Sequence, residues 1–229
     1  MVVERTTATV TPPRLRRWVT AALGLLAALL DCAFLLQGLT RSTLPWADSF
    51  ISELESPSQP DSGFFRWASL LAGATTVLFA VSLYHRLPPG RLAVLGSWAL
   101  VAYGSCDAAA ALMPMSCTPS VDLACRRLDD QEWTHQVHTA VSVLAVVALL
   151  VSLGVLGRHL RRTPGWRRVG VAGLVGWVAL SVWSVVVSVM AVAYLPGLGL
   201  AQRIQILAAS AWLVLLALAS VREHHGRRT

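Results

Sequence analysis

Two aspartates occur within long apolar segments of the sequence, where a charged side chain is costly. Asp31 follows the run LLAALL, and Asp107 follows VAYGSC. An ionisable residue inside a membrane-spanning segment marks a functional site by default, because it is expensive to bury. Carboxyl groups in such places can ligate a metal, act as general acid or base, or relay protons.

Two histidines begin another apolar segment, in the sequence THQVH. The three-residue spacing of His135 and His138 places both rings on one face of a helix. Imidazole and carboxylate groups are zinc ligands, so His135, His138 and Asp107 form a candidate Zn²⁺ site with an open position for water. Without a metal, a histidine would act as general base and an aspartate would orient it. The catalytic candidates are therefore Asp31, Asp107, His135 and His138.

Other polar side chains fall near the same ends of the apolar segments, and they are candidates for contacting a substrate. The loop DSFISELES offers serine hydroxyls as nucleophiles and an acidic side chain beside them. The predicted substrate-binding residues are Arg203, Gln205, Tyr194, Ser52 and Glu53.

The elements that position these residues are predicted to be membrane-spanning helices. The 229-residue chain is 55% hydrophobic and only 14% charged, whereas a soluble domain is about a quarter charged. This composition excludes a soluble enzyme and a disordered chain, and it disfavours a nucleic-acid binder. Six stretches have about the 20 apolar residues that a spanning helix needs. They are Trp18–Leu39, Phe64–Tyr84, Leu92–Met115, His135–Gly157, Val169–Leu195 and Ile204–Val221.

The net charge of +7 divides unequally between the connections. All 19 basic residues are arginine, and 14 lie in residues 1–17, 85–91, 158–168 and 222–229 with only two acids. The positive-inside rule places these segments in the cytoplasm. The sequence thus predicts an all-α, six-span cell-membrane protein with both termini cytoplasmic. Residues 18–221 would form one transmembrane domain, between a cytoplasmic tail at 1–17 and a basic tail at 222–229.

Four cysteines divide between the spans and one connection. Cys117 and Cys125 lie eight residues apart in a connection predicted to be extracellular, where oxidising conditions allow a disulfide. Sequence spacing leaves the pairing open, since it does not show the geometry. Cys32 and Cys106 lie within spans, where apolar packing is the ordinary role.

The predicted spans place the ionisable groups at a similar depth. At 1.5 Å per residue, Asp31 and Asp107 lie roughly 10–12 Å below the outer surface, and both histidines start their span from that side. We therefore expect an outward-facing polar pocket. Handling of a lipid or small amphiphile in the outer leaflet, with hydrolysis as one mode, is the leading hypothesis. A transporter, or an accessory or sensory subunit without enzymatic activity, is the alternative. We expect the lipid bilayer, and not nucleic acid, to be the partner. Zn²⁺ is the candidate cofactor.

Several short motifs carry a family resemblance. They are DSFISEL at 48–54, FFRW at 64–67, Asp107 ahead of Met113–Pro114, and THQVH at 134–138. With these motifs the chain resembles the bacterial domain-of-unknown-function family nine-nine-eight, small six-span membrane proteins common in actinobacteria. The resemblance covers Trp18–Val221, and the two cysteines of the loop at 116–134 depart from the usual pattern. It implies the six-span topology and an outward-facing polar cluster, and it implies no activity.

Overall fold

The computed structural model describes residues 13–127 and 132–221, and all regular secondary structure in these ranges is helical. These ranges also contain three 3₁₀ helices: Ala33–Leu39 continues the first span, and Ile51–Glu55 and Ala124–Arg126 lie in the connections. The predicted tail residues 1–12 and 222–229 lie outside the described residues. The six α-helices are α1 (Pro13–Asp31), α2 (Ser62–Tyr84), α3 (Arg91–Leu112), α4 (Trp133–Leu160), α5 (Arg167–Ala193) and α6 (Leu198–Val221).

Five of these helices, α2 to α6, are long and apolar enough to cross a membrane. The first span is different, because α1 stops at Asp31 and the 3₁₀ helix Ala33–Leu39 continues at an angle of 41°. The bent pair supplies the sixth span if it crosses as one unit. The prediction of an all-helical membrane protein is confirmed, and the continuous first helix predicted over Trp18–Leu39 is wrong.

The other helices differ from the predicted boundaries by up to six residues, and two of these differences have a local cause. Helix α3 ends at Leu112 instead of Met115, because a residue that precedes a proline, here Met113, is disfavoured in the α conformation. Helix α6 begins at Leu198, before the predicted Ile204. The turn ahead of it uses Gly197 with φ of 82°, a conformation that glycine adopts without a Cβ penalty.

The helices form a closed ring. Each packs against its neighbours in sequence, and α1 also packs against α6. Contacts join the start of one helix to the end of its neighbour, as between Thr20 and Ser82 or between His138 and Ala110, so adjacent helices are antiparallel. The connections after α1, α3 and α5 therefore meet at one end, which we call the acidic end. The connections after α2 and α4 meet at the other, with the start of α1 and the end of α6, and we call it the arginine end.

The interior of the ring is apolar along most of its length. It contains large side chains that are almost fully buried, such as Phe79, Leu100, Leu156 and Leu213. Lipid tails are as apolar as these side chains, so close packing, more than the hydrophobic effect, stabilises helix contacts within a membrane. One close contact lies between α2 and α3, where Gly73 and Gly104 face one another.

The contact at Gly73 leads to a prediction about stability. A Cβ at Gly73 would lie 2.5 Å from the Ala108 nitrogen and the Gly104 oxygen, which are backbone atoms that cannot rotate away. A Cβ at Gly63, in the first turn of the same helix, would meet nothing within 4 Å. Overpacking costs ~1–3 kcal/mol. We therefore expect Gly73→Ala to lower the thermal unfolding temperature in detergent by at least about 2 °C.

Gly63→Ala is the matched control for this variant. Alanine favours helix over glycine by up to about 1 kcal/mol, so Gly63→Ala should leave the unfolding temperature unchanged or raise it. Circular dichroism during heating measures both variants. Equal unfolding temperatures for the two variants would show that α2 and α3 do not approach as closely as described.

Candidate functional site

The carboxylate of Asp31 lies where α1, α3 and α6 meet. Its Oδ2 accepts hydrogen bonds from the Ser210 hydroxyl at 2.8 Å and the Tyr103 hydroxyl at 3.4 Å. Asp31 is the last residue of α1, so its position coincides with the break in the first span. The break and the carboxylate thus belong to one local structure.

Asp107 joins Asp31 at this site. It follows Tyr103 by four residues on α3, which places both on one face of that helix. Asp107 lies within electrostatic reach of Asp31 and of Glu55. Asp31, Asp107 and Glu55 form what we call the carboxyl cluster, which takes its members from α1, α3 and the 3₁₀ helix Ile51–Glu55.

Glu55 is the member of the carboxyl cluster that lies outside the spanning helices. Its Oε1 accepts a hydrogen bond from the Ser69 hydroxyl at 2.6 Å, and its Oε2 is buried with no hydrogen-bond partner among the described residues. Burial raises the pKa of Glu55 from 4.5 to about 7, against the opposing effects of the Ser69 hydrogen bond and the Arg66 charge. Glu55 therefore titrates near neutral pH.

The two histidines lie at the other side of the acidic end and have different roles. His138 is buried, and its Nδ1 lies 3.0 Å from the carbonyl oxygens of Ala110 and Met113. Carbonyl oxygens only accept hydrogen bonds, so Nδ1 carries the proton and donates it to these two carbonyls at the end of α3. His138 thereby joins α4 to the end of α3.

His135 lies beside a disulfide. Cys117 and Cys125 are bonded to one another, with their Cα atoms 6.0 Å apart, and the His135 Nδ1 lies 3.8 Å from the Cys117 Sγ. Over residues 13–127 and 132–221, no hydrogen bond joins His135 or His138 to either aspartate. The structure therefore does not form the acid–base arrangement predicted from the sequence.

The predicted zinc set is not brought together either. In the part of the chain that the structure describes, the one group with metal-binding spacing is Cys117, Cys125 and His135. His138 and Asp107 do not belong to it, because the Nδ1 of His138 is held by backbone carbonyls and Asp107 lies with the other carboxyl groups. The disulfide occupies both sulfur atoms of the group that does form.

Arg203 was predicted to bind a substrate, but its guanidinium is enclosed by the protein. Its side chain is 1% exposed and donates to the carbonyl oxygens of Ser49 and Gly199 at 3.0 Å and to the Gln37 side chain. The guanidinium carbon lies 4.8 Å from the centre of the Trp46 ring. Arg203 therefore ties the long connection after α1 to the first turns of α6.

Glu53 is enclosed in the same region and supplies a negative charge within reach of Arg203. Its carboxylate accepts hydrogen bonds from the Ser120 backbone nitrogen at 2.7 Å and from the Ser120 hydroxyl. Burial raises the pKa of Glu53, and these hydrogen bonds act in the opposite direction. The hydroxyls of Ser49 and Ser120 are also bonded to one another, at 2.8 Å. The network joins the connections after α1 and α3.

The remaining side chains that were predicted to bind substrate also contact other residues of the protein. Gln205 donates to the Ser184 hydroxyl at 2.7 Å, Ser52 donates to the Met115 sulfur at 3.1 Å, and the ring of Tyr194 lies under the Arg126 guanidinium. Two cavities of about 230 Å³ each lie at the arginine end, one of them lined by residues of the connection after α2. The polar side chains of the acidic end contact one another, and among the described residues neither of these two cavities lies at the end where a pocket was expected.

Several functional candidates were missed by sequence reasoning. Glu55 and Ser69 lie near the acidic end, and Tyr103 and Ser210 lie within spans. The four-residue spacing from Tyr103 to Asp107 was an available signal, because it places a hydroxyl and a carboxyl on one helix face. Ser210 and Ser69 gave no such signal, since serine is common in membrane helices.

The pKa of Glu55 leads to a prediction about stability and pH. The unfolded chain releases this proton near the ordinary value of 4.5, whereas the folded protein keeps it up to about pH 7. Between these pH values the folded state binds more protons than the unfolded state, so the free energy of unfolding falls as the pH rises. The stability that Glu55 contributes is fully lost above about pH 7. At 1.36 kcal/mol per pKa unit the effect is on the order of 3 kcal/mol.

Glu55→Gln should remove the pH-dependent stability that comes from this side chain, because glutamine does not titrate. The unfolding temperature of the variant should therefore fall less between pH 4.5 and 7 than that of the wild type. Glu132→Gln, at an exposed glutamate, is the matched control and should keep the wild-type slope. A Glu55→Gln profile parallel to the wild-type profile would contradict the burial of Glu55.

Comparison with known proteins gives one match. No curated protein and no solved structure matches the chain. A family model described as "Protein of unknown function (DUF998)" matches residues 20–219. The match contains the carboxyl cluster, both histidines and all of the connections at the acidic end. It confirms the family expected from the sequence motifs: the chain belongs to DUF998, a family of membrane proteins of unknown function.

Proposed function

We propose that the protein is a proton-coupled membrane carrier in which the carboxyl cluster binds the proton. The observation that carries this proposal is the position of Asp31 at the break in the first span, within reach of Asp107. Discontinuous spanning helices supply the ion and substrate sites of many transporters, because the free helix ends and the adjoining side chains face the site. Asp31 occupies such a place.

The chemistry of the cluster suits proton binding. Carboxyl groups that face one another in low-dielectric surroundings do not all carry charge, and they hold a proton or a cation between them. The hydroxyls of Tyr103 and Ser210 donate to Asp31 and complete its hydrogen bonds. Glu55, with a pKa of about 7, lies on a connection at the acidic end. Glu55 is therefore suited to exchange protons between this end and the two aspartates of the cluster.

The break also supplies an element that can move. A 3₁₀ stretch within a span often marks a hinge, and here it follows Asp31 directly. Gain of a proton changes the carboxylate of Asp31 from an acceptor only to a group that also donates. Its bonds to α3 and α6 would then rearrange, which couples proton binding to the angle at the break.

We infer the orientation and the location from charge. Of the 19 arginines, 14 lie in the segments of the arginine end and the two tails. The positive-inside rule supports a cytoplasmic arginine end, with both termini on that side and the acidic end facing outward. The cell membrane is the location that this proposal implies.

An amphiphile or lipid of the outer leaflet is the cargo that the proposal favours. Exposed Leu35, Leu36 and Leu39 follow Asp31 on the 3₁₀ helix, so an apolar surface adjoins the carboxyl cluster. Such a surface suits the tail of an amphiphile and the cluster suits a cationic or hydroxylated head. Hydrolysis has less support, because His138 is held by carbonyls and His135 lies beside the disulfide.

A pH-jump measurement on solid-supported membranes tests the proton site. Protein reconstituted in vesicles should displace charge when the pH of the solution changes, since protons enter the membrane interior. We expect Asp31→Asn and Asp107→Asn to remove most of that charge movement. Asp61→Asn should retain it, because Asp61 is an exposed partner of Arg41 outside the cluster. Equal currents from all four proteins would overturn the proposed proton site.

A second measurement separates carrier from sensor. Vesicles loaded with a fluorescent phospholipid analogue report whether an imposed pH gradient drives the lipid between leaflets. The carrier proposal predicts gradient-dependent movement in the wild type and its loss in Asp31→Asn. Charge displacement without lipid movement would contradict this cargo and favour the alternative of an accessory or sensory subunit.

A further inference from the structure

Three potential metal ligands lie together at the acidic end, apart from the carboxyl cluster. The sulfur atoms of Cys117 and Cys125 and a ring nitrogen of His135 all lie within 4.8 Å of one another. Cys125 and His135 are almost fully buried, and Cys117 is half-buried. The site therefore has two enclosed ligands and one side that small solutes can approach.

We propose that reduction of the Cys117–Cys125 disulfide converts this group into a Zn²⁺ site. Two thiolates and one imidazole are zinc ligands, and three protein ligands leave a fourth position for water. Soft thiolate ligands also suit Cu⁺, and Zn²⁺ is the ion to which the proposal commits. The proposal does not depend on the proposed proton-coupled function, because it uses none of the residues in the carboxyl cluster.

The redox step balances with a dithiol as the reductant. The Cys117–Cys125 bond breaks and takes up two electrons and two protons, while the dithiol loses the same and becomes a disulfide. Zn²⁺ then replaces the two thiol protons, which pass to water. The oxidised protein cannot bind the ion in this way, because its sulfur atoms are bonded to one another.

The geometry requires little movement of the ligands. Zn–S and Zn–N bonds of about 2.3 and 2.0 Å in a tetrahedral site place the ligand atoms about 3.5–3.8 Å apart. The His135 Nδ1 already lies 3.8 Å from the Cys117 Sγ. The histidine therefore already lies at the distance from Cys117 that a shared zinc ion requires.

Two contacts hold the loop in position without the disulfide. The Arg126 Nε donates to the Pro119 carbonyl oxygen at 2.8 Å, within the loop itself. Ser120 donates its backbone N–H to Glu53 at 2.7 Å, which attaches the loop to the connection after α1. His135 is fixed in the first turn of α4. These contacts keep the three ligands near one another in the reduced protein, so that Zn²⁺ would replace the disulfide as the link that closes the loop.

The test uses the purified full-length protein in detergent, free of metal. One sample is oxidised, and another is reduced with dithiothreitol and desalted under argon. Titration against a chromophoric chelator measures Zn²⁺ affinity, and Co²⁺ reports thiolate ligands by its charge-transfer absorption. We expect the reduced protein to bind one Zn²⁺ per chain with at least about tenfold higher affinity than the oxidised protein.

The variants separate this site from adventitious binding. Cys117→Ser with Cys125→Ser keeps Cys32 and Cys106 and is the matched control, which should bind Zn²⁺ no better than the oxidised protein. His135→Ala should weaken binding about tenfold or more and change the Co²⁺ spectrum. If the double variant fails to fold by gel filtration, reduced wild type alkylated with N-ethylmaleimide replaces it. Equal binding by reduced wild type and either control, or an unchanged His135→Ala spectrum, would overturn the proposal.

Discussion

A carboxyl group inside a membrane has to find its hydrogen bonds within the protein, because lipid offers none. This constraint acts on Asp31, whose carboxylate receives the hydroxyls of Ser210 and Tyr103. Those two bonds bring α1, α3 and α6 to one point. The first span breaks at the same residue, so the position of Asp31 is linked both to the packing of the helices and to the bend in the first span.

The rest of the structure encloses that point. The close approach of α2 and α3 at Gly73 places Ser69 and Glu55 on the same side as Asp107. At the acidic end, Arg203 and Glu53 tie the connections together with hydrogen bonds to backbone and side chains. These bonds join the connections after α1 and α3 to one another and to the start of α6. Most of the conspicuous polar residues therefore support the site, and few of them are free to contact a substrate.

Much of the fold could be predicted from the sequence, because length and hydropathy determine where helices cross a membrane. The juxtaposition of Asp31 and Asp107 also followed, since both lie at a similar depth. The position of the histidines away from the aspartates could not be predicted in this way, because a similar depth does not fix the direction of a side chain around its helix. Glu55 reaches the cluster through a 3₁₀ turn in a long connection, and the path of such a connection has no sequence period from which it could be predicted.

Infrared difference spectroscopy shows whether the carboxyl cluster holds a proton within the membrane, because a protonated carboxyl group has a C=O stretching band that a carboxylate lacks. We expect the wild type at neutral pH to show this band, and Asp31→Asn combined with Asp107→Asn to remove most of it. A wild-type spectrum without the band, or one identical to that of the double variant, would show that the cluster holds no proton.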